Sequence, residues 1–247
     1  MEIPVIWEAI LREKFGEDVS LLEASFYPSR KNQLSRLRLG TDAGEREIVA
    51  KYYVWGNRLG EKAALSKASS CGLAVAKPLA LVANVLFMEP LSGLQLGAGQ
   101  GWDLAERLAG WVGEFHRRLT PAAAKLTFLW GDCGVYNFLY DSGRDELQGL
   151  DFEEAYFGHP ESDIASLAWS LLGDRYQSGE GLGRDSLARE IEGLWQTLER
   201  GYGGGLVKER FYQELLAVAA QRGRWRVEKR HLIGSILELK PLWFGQG

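Results

Sequence analysis

Cysteine is nearly missing from this chain of 247 residues: Cys71 and Cys133 lie far apart and show no CxxC spacing. That excludes a disulfide framework and argues against a zinc site. No apolar run approaches the roughly 18 residues that read as a membrane span, so the chain reads as soluble, with no membrane partner. Excess positive charge is missing too: the formal net charge of −4 disfavours general nucleic-acid binding. The N-terminus, MEIPVIWEAILREKFGED, has neither the basic-then-apolar order nor the small-residue cleavage site of a secretory leader. With two isolated thiols, this predicts a reducing, cytoplasmic setting. Internal repeats and low-complexity tracts are also lacking.

What is present suits an enzyme. Hydrophobic residues make up 46% and charged residues 25%, enough for one large domain or two small ones sharing a cleft. The charge is uneven. From Gly205 onward there are eight Lys/Arg against four Asp/Glu, so the C-terminal segment is basic, as a solvated helix face or a patch for phosphate or an acidic partner.

Helical spacing of Val5, Ile6, Ala9 and Ile10 predicts a helix over 4–15, capped by Gly16. Strand-like runs follow at 20–27, 33–39 and 46–54, the last two joined by the turn-forming GTDAGE as an antiparallel hairpin. A helix ending at Gly72 and the extended ALVANVLFME complete a small sheet. The glycine-rich stretch after Pro90 reads as a linker. Beyond it, Leu104, Leu108, Trp111, Val112, Phe115 and Leu119 form one stripe of a helix over 102–119. Two short strands, FLYD and LQGLDF, precede helices at 163–172, 187–198 and 206–219. The expected fold is α+β and two-lobed, with a sheet-rich lobe over 1–90 and a helical lobe over 91–247.

The chemistry is concentrated in Gly131-Asp132-Cys-Gly-Val-Tyr-Asn137 and Leu150-Asp151-Phe152-Glu153. A hairpin of the two short strands would bring Asn137 and Asp151 close together. An amide and a carboxylate oxygen are hard ligands suited to Mg²⁺, with Asp132 left to face an acceptor hydroxyl. Upstream, strand alternation puts Val49, Lys51 and Tyr53 on one face, where Lys51 can reach nucleotide phosphates and Glu61 can pair with it. The bland alternatives are an exposed strand lysine and a solvated helix charge.

In this order, Lys51, Glu61, Phe87-Met-Glu-Pro-Leu-Ser-Gly93, Gly131-Asp132-x4-Asn137, Leu150-Asp151-Phe152-Glu153 and Asp163-Ile-Ala resemble the aminoglycoside phosphotransferase and choline kinase-like family, over about 20–172. The resemblance implies a protein-kinase-like fold and transfer of the γ-phosphoryl group of Mg²⁺-bound ATP, or GTP, to a hydroxyl of a small molecule. It implies that Lys51 contacts the α- and β-phosphates, that Glu61 pairs with it, that Asp132 is the catalytic base and that Asn137 and Asp151 bind Mg²⁺. Met88, Glu89 and Leu91 would lie in a hinge facing the adenine. Tyr27-Pro-Ser29-Arg-Lys-Asn32-Gln, with Ser29 and Asn32, would cover the nucleotide.

Three departures stand out. Trp130 replaces the family's usual histidine before Gly-Asp, a structural brace, and its indole is expected to hydrogen-bond Asp163. The loop 27–33 holds no glycine. The chain is short for the family, so the acceptor elements are expected to be reduced. A nucleotide-binding pseudokinase or scaffold is the alternative these departures motivate. A protein kinase is disfavoured by the lack of GxGxxG and of Ala-Pro-Glu. His116 reads as a packed or hydrogen-bonded histidine, His159 as a turn residue and Cys133 as a small packing residue. Glu153, Glu154 and Glu161 could attract an amine-bearing acceptor or lie on a solvated turn. No motif fixes an oligomeric state.

Overall fold

The computed structural model describes residues 5–27, 31–97, 99–176, 183–223 and 230–244. The chain forms two compact units: 1–92 with 152–154, and 93–151 with 155–247. The α+β architecture expected from the sequence is the one found.

In the first unit, helix α1 (Val5–Phe15) precedes strands β1 (Ser20–Tyr27), β2 (Gln33–Thr41) and β3 (Gly44–Tyr52), then helix α2 (Arg58–Ser70), β4 (Pro78–Val82) and β5 (Val85–Met88). All pairings are antiparallel, in the order β1-β2-β3-β5-β4. The β2–β3 hairpin is tighter than GTDAGE suggests, since Thr41 pairs with Gly44 around Asp42-Ala43. One face of the sheet packs Leu37, Leu39, Ile48, Ala50, Val85 and Phe87 with Leu11 of α1 and with Val19. Each of the Val, Leu, Ile and Phe side chains contributes about 1.5–3 kcal/mol when fully buried. Strand alternation therefore turns Lys51 to the opposite face. Asn57 caps α2, its side chain accepting from the Gly60 N–H at 2.9 Å, which sets Glu61 in the first turn.

The second unit holds β6 (Leu94–Gln95), α3 (Gln100–Asp103), α4 (Ala105–Leu119), β7 (Thr127–Leu129), β8 (Phe138–Asp141), β9 (Glu146–Gly149), β10 (Tyr156–Gly158), α5 (Glu161–Arg175), α6 (Arg184–Tyr202), α7 (Lys208–Gly223), α8 (Arg230–Leu237) and α9 (Lys240–Phe244). The single helix expected over 102–119 is split, because Leu104 leaves helical geometry at φ −101° and ψ 5°. The stretch read as linker contributes β6, which pairs with β8. Leu108, Val112, Phe115 and Leu119 of α4 are buried as the stripe requires. β7 pairs with β10, and α8 and α9 extend the helical part beyond what periodicity suggested. No described helix is long and apolar enough to cross a membrane.

Candidate active site

In the first unit, Lys51 and Glu61 are buried together, with Nζ 2.7 Å from Oε2. The Tyr53 hydroxyl donates to the same Oε2, and the Phe152 backbone N–H reaches Oε1 at 3.3 Å. Lys51 is thus no ordinary exposed strand lysine. Nor is Glu61 a solvated charge. A second carboxylate shares the cluster: Glu153, also buried, lies 3.6 Å from Lys51 Nζ, accepts from Asn32 Nδ2 at 2.8 Å and pairs with Lys31 at 2.5 Å. Lys31 also bonds Glu154 at 2.9 Å. Burial pulls its ammonium down, but the bonds to both glutamates outweigh that and raise it above the usual lysine range. Asn32 Oδ1 receives the Val54 N–H at 3.3 Å. Ser29 lies outside the described residues. Met88 ends β5 opposite Val49, and the Glu89 N–H bonds the Lys77 carbonyl at 2.9 Å. Leu91 follows the strand, partly buried.

In the second unit, the segment 130–137 is held from beneath by Asp163, a buried residue in the first turn of α5. Asp163 Oδ2 accepts the Trp130 backbone N–H at 2.6 Å and Oδ1 accepts that of Gly131 at 2.9 Å. His116 Nε2 lies 3.0 Å from Oδ2, and its Nδ1 lies 3.0 Å from the Tyr202 hydroxyl. Gly131 adopts φ +90°, a turn open to glycine at little cost. Above this brace, Asn137 Nδ2 donates to the Asp132 carbonyl at 2.7 Å and reaches Oδ2 at 3.3 Å. The Tyr136 hydroxyl donates to Asp132 Oδ1 at 3.0 Å, and Arg222 Nη2 donates to the same oxygen at 2.6 Å.

The expected indole bond to Asp163 is corrected. Trp130 meets Asp163 through its backbone, and the indole N–H donates to the Asp151 carbonyl at 2.8 Å. The fully buried ring packs against Phe138 and Trp111, with centroids 4.8 and 5.3 Å away, and His116 supplies the side-chain partner of Asp163. A second correction concerns the run ending at Asp151: β9 stops at Gly149, and Asp151 turns out of extended geometry at φ +57°. Residues of this kind cluster where strain serves a site.

The structure brings Asp132 directly onto Asn137. Asn137 and Leu150 are joined by the Leu150 N–H to Asn137 carbonyl bond of 2.9 Å. Asn137 is buried, and its Oδ1 makes no bond among the described residues, so a hard oxygen donor is left for a cation. Burial, with the charges of Asp163 and Asp132, pushes the Cys133 thiol well above its usual range, which fits a packing residue. His159 ring nitrogen Nδ1 lies 3.1 Å from Arg210 Nη1. Glu161 is buried and accepts the Val207 N–H at 2.7 Å, so neither it nor Glu153 belongs to a solvated turn. Sequence reasoning missed Tyr136 and Arg222. For Arg222 the one signal was the basic C-terminal segment.

Residues 93–212 match the profile described as the phosphotransferase enzyme family. The chain resembles that family and has a protein-kinase-like fold. Among solved structures, choline kinase from Cryptosporidium parvum Iowa II superposes with a TM-score of 0.64 at 12% identity, covering 96% of each chain. An amicoumacin kinase in complex with AMP-PNP, Ca²⁺ and its ligand gives 0.59 at 13%, covering 89% of this chain and 88% of that one. An aminoglycoside-3'-phosphotransferase of type VIII gives 0.54 at 20%, covering 84% and 96%. No curated protein sequence matches the chain. The motifs from Gly131 to Asp163 all lie within the matched segment.

Proposed function

We propose that the protein is a small-molecule kinase, transferring the γ-phosphoryl group of ATP to a hydroxyl. The observation that carries this reading is the Asp132–Asn137 pair, held by the Trp130 and Gly131 amides on buried Asp163. Phosphoryl transfer asks a protein for positioning and charge neutralisation, and this loop supplies rigid positioning. Asn137 Oδ1 and the Asp151 carboxylate are the residues that would hold Mg²⁺. When bound, the ion neutralises charge on the phosphates and orients them. Lys51, fixed by Glu61, meets the α- and β-phosphates. Asp132 accepts the proton as the acceptor oxygen bonds to the γ-phosphorus and the bond to the β–γ bridging oxygen breaks, releasing ADP. Met88, Glu89 and Leu91 border the base, and Asn32 lies over the phosphates. The lobes of the proposal are 1–90 for nucleotide and 91–247 for acceptor. Two cysteines that form no disulfide with each other fit a cytoplasmic setting.

The binding-only alternative drew on Trp130. Its indole bond to the Asp151 carbonyl supports retention of the loop geometry without a histidine at that position. Calorimetry with ATP and GTP, with and without Mg²⁺, on wild type and Asp151→Ala tests the reading. Magnesium-dependent binding lost in the variant is expected, together with a turnover loss of about 10² to 10⁴-fold in Asp132→Asn. Folded wild type that binds neither nucleotide would overturn it, and unchanged turnover in Asp132→Asn would remove Asp132 as base.

A further inference from the structure

Arg222, in the last turn of α7, lies beyond the matched segment and reaches back to the loop. Its Nη2 donates to Asp132 Oδ1 at 2.6 Å and its Nη1 donates to the Tyr136 hydroxyl at 2.8 Å. Tyr136 donates to the same Oδ1, while Oδ2 faces only Asn137 Nδ2, at 3.3 Å, among the described residues. Burial and the Asp132 charge push the Tyr136 phenol up to about 12, so it stays a neutral donor. Burial lowers the Arg222 guanidinium, but Tyr136 and Asp132 outweigh that and hold it charged. Two of its five N–H groups have partners among the described residues, and its side chain keeps 25% of its exposure.

The sign of the charge matters. An ammonium-bearing alcohol needs carboxylates around it, and the candidates read from the sequence are engaged elsewhere. Glu161 caps Val207, and Glu153 and Glu154 pair with Lys31. The group beside the oxygen that would take the acceptor's proton is a guanidinium, whose planar fork matches carboxylate or phosphate and repels an amine. We propose that Arg222 selects the acceptor: a hydroxyl compound carrying a carboxylate or phosphate on a carbon near the reacting hydroxyl, and not an amino alcohol. The inference rests on the kinase reading above. It makes Arg222 a specificity residue. The hydroxyl sits on Asp132 and the anionic group on the remaining N–H groups of Arg222, which an ammonium substrate would leave unmet. A site built to hydrogen-bond one substrate group rejects the analogue lacking it strongly.

The test uses the full chain and a panel of glycerate, glycerol 3-phosphate, glycerol, ethanolamine and choline. Binding is measured by calorimetry in the presence of Mg²⁺ and AMP-PNP, and phosphorylation with Mg²⁺ and ATP, for wild type, Arg222→Gln and Arg222→Glu, each first shown to melt cooperatively. Wild type is expected to favour one of the two anions over glycerol by about 100-fold. The two anions separate carboxylate from phosphate recognition. Arg222→Gln should erase the preference, and Arg222→Glu should shift it toward choline and ethanolamine. Wild-type preference for the amino alcohols, or no Arg222-dependent binding of either anion, overturns the inference. Arg222→Gln weakening AMP-PNP and all acceptors alike also overturns it, assigning Arg222 to the phosphoryl group instead. Failure of the kinase reading looks different: an anion binds through Arg222 while no nucleotide binds.

Discussion

The indole N–H of Trp130 donates to the backbone carbonyl of Asp151 at 2.8 Å. An aromatic donor packed between Trp111 and Phe138 therefore fixes the backbone where Asp151 turns left-handed. Trp130→Phe keeps a ring and removes the donor. Stability should fall by about 1–3 kcal/mol, and magnesium-dependent nucleotide affinity should weaken about 10-fold, a loss of roughly 1.4 kcal/mol. Trp130→His, which restores an N–H, should recover part of both. Thermal melting and calorimetry on the three proteins check this, and identical behaviour of wild type and Trp130→Phe would remove the bracing role.

His116 and Asp163 make a second relationship with a measurable consequence. Asp163 holds two backbone N–H groups and one imidazole, and Asp163, Trp130 and His116 are buried. His116→Ala removes the imidazole and leaves the amides. The expected result is about 2 kcal/mol of lost stability, the scale of a hydrogen bond to a charged group. Turnover should drop less than in Asp163→Ala, which releases the loop itself. Equal turnover in the two variants would show that the loop depends on the imidazole as much as on the carboxylate.

The legible part of this protein was local. Strand alternation around Lys51 and the spacing Gly131-Asp132-x4-Asn137 follow from chain periodicity and motif order, and both survive folding. What stayed hidden depends on distant pairings. No local pattern says that Arg222 meets Asp132 ninety residues away, or that Glu153 joins Lys31 and Lys51. The same limit explains the Trp130 correction. Sequence identified a donor at that position, but whether the indole or the backbone meets Asp163 is decided by the packing of Trp111 and Phe138 around the ring. The break at Leu104 was equally invisible, because its apolar stripe continues across it.

The Tyr202 hydroxyl, 3.0 Å from His116 Nδ1, gives an alkaline signature. Burial raises its phenol, Arg117 opposes this, and Glu161 and Asp163 add to the rise, to about 12. Between pH 10 and 12 the unfolded tyrosine releases a proton that the folded one retains, so stability falls as pH rises through that window and is unaffected below it. The ring is partly exposed, so solvent screening reduces the effect to the order of 1 kcal/mol. Tyr136 and Tyr212 shift in the same direction, so the measurement is the difference between wild type and Tyr202→Phe. Denaturant midpoints from pH 9 to 12 should decline less steeply in the variant. Parallel curves would show that Tyr202 titrates alike in both states.

Helices α4 and α6 approach closely where Gly201 faces Glu106. A Cβ added at Gly201 would lie 2.1 Å from the Glu106 carbonyl oxygen and 2.9 Å from its Cα, and backbone cannot swing aside as a flexible side chain can. The same approach brings Gly110 near the Gly201 carbonyl, its added Cβ meeting that oxygen at 3.2 Å. Gly201→Ala should therefore push the helices apart and destabilise by about 3 kcal/mol, the upper range for overpacking. Because α4 carries His116 and α6 carries Tyr202, the separation should also lengthen that contact. Gly193, on the same helix with nothing within 4 Å of an added Cβ, is the internal control. Gly193→Ala gains helix propensity and should stabilise by about 0.5–1 kcal/mol. Opposite signs in the two variants identify helix approach as the reason for glycine at 201. If both alanines stabilise, the two helices have room to separate and the packing argument fails.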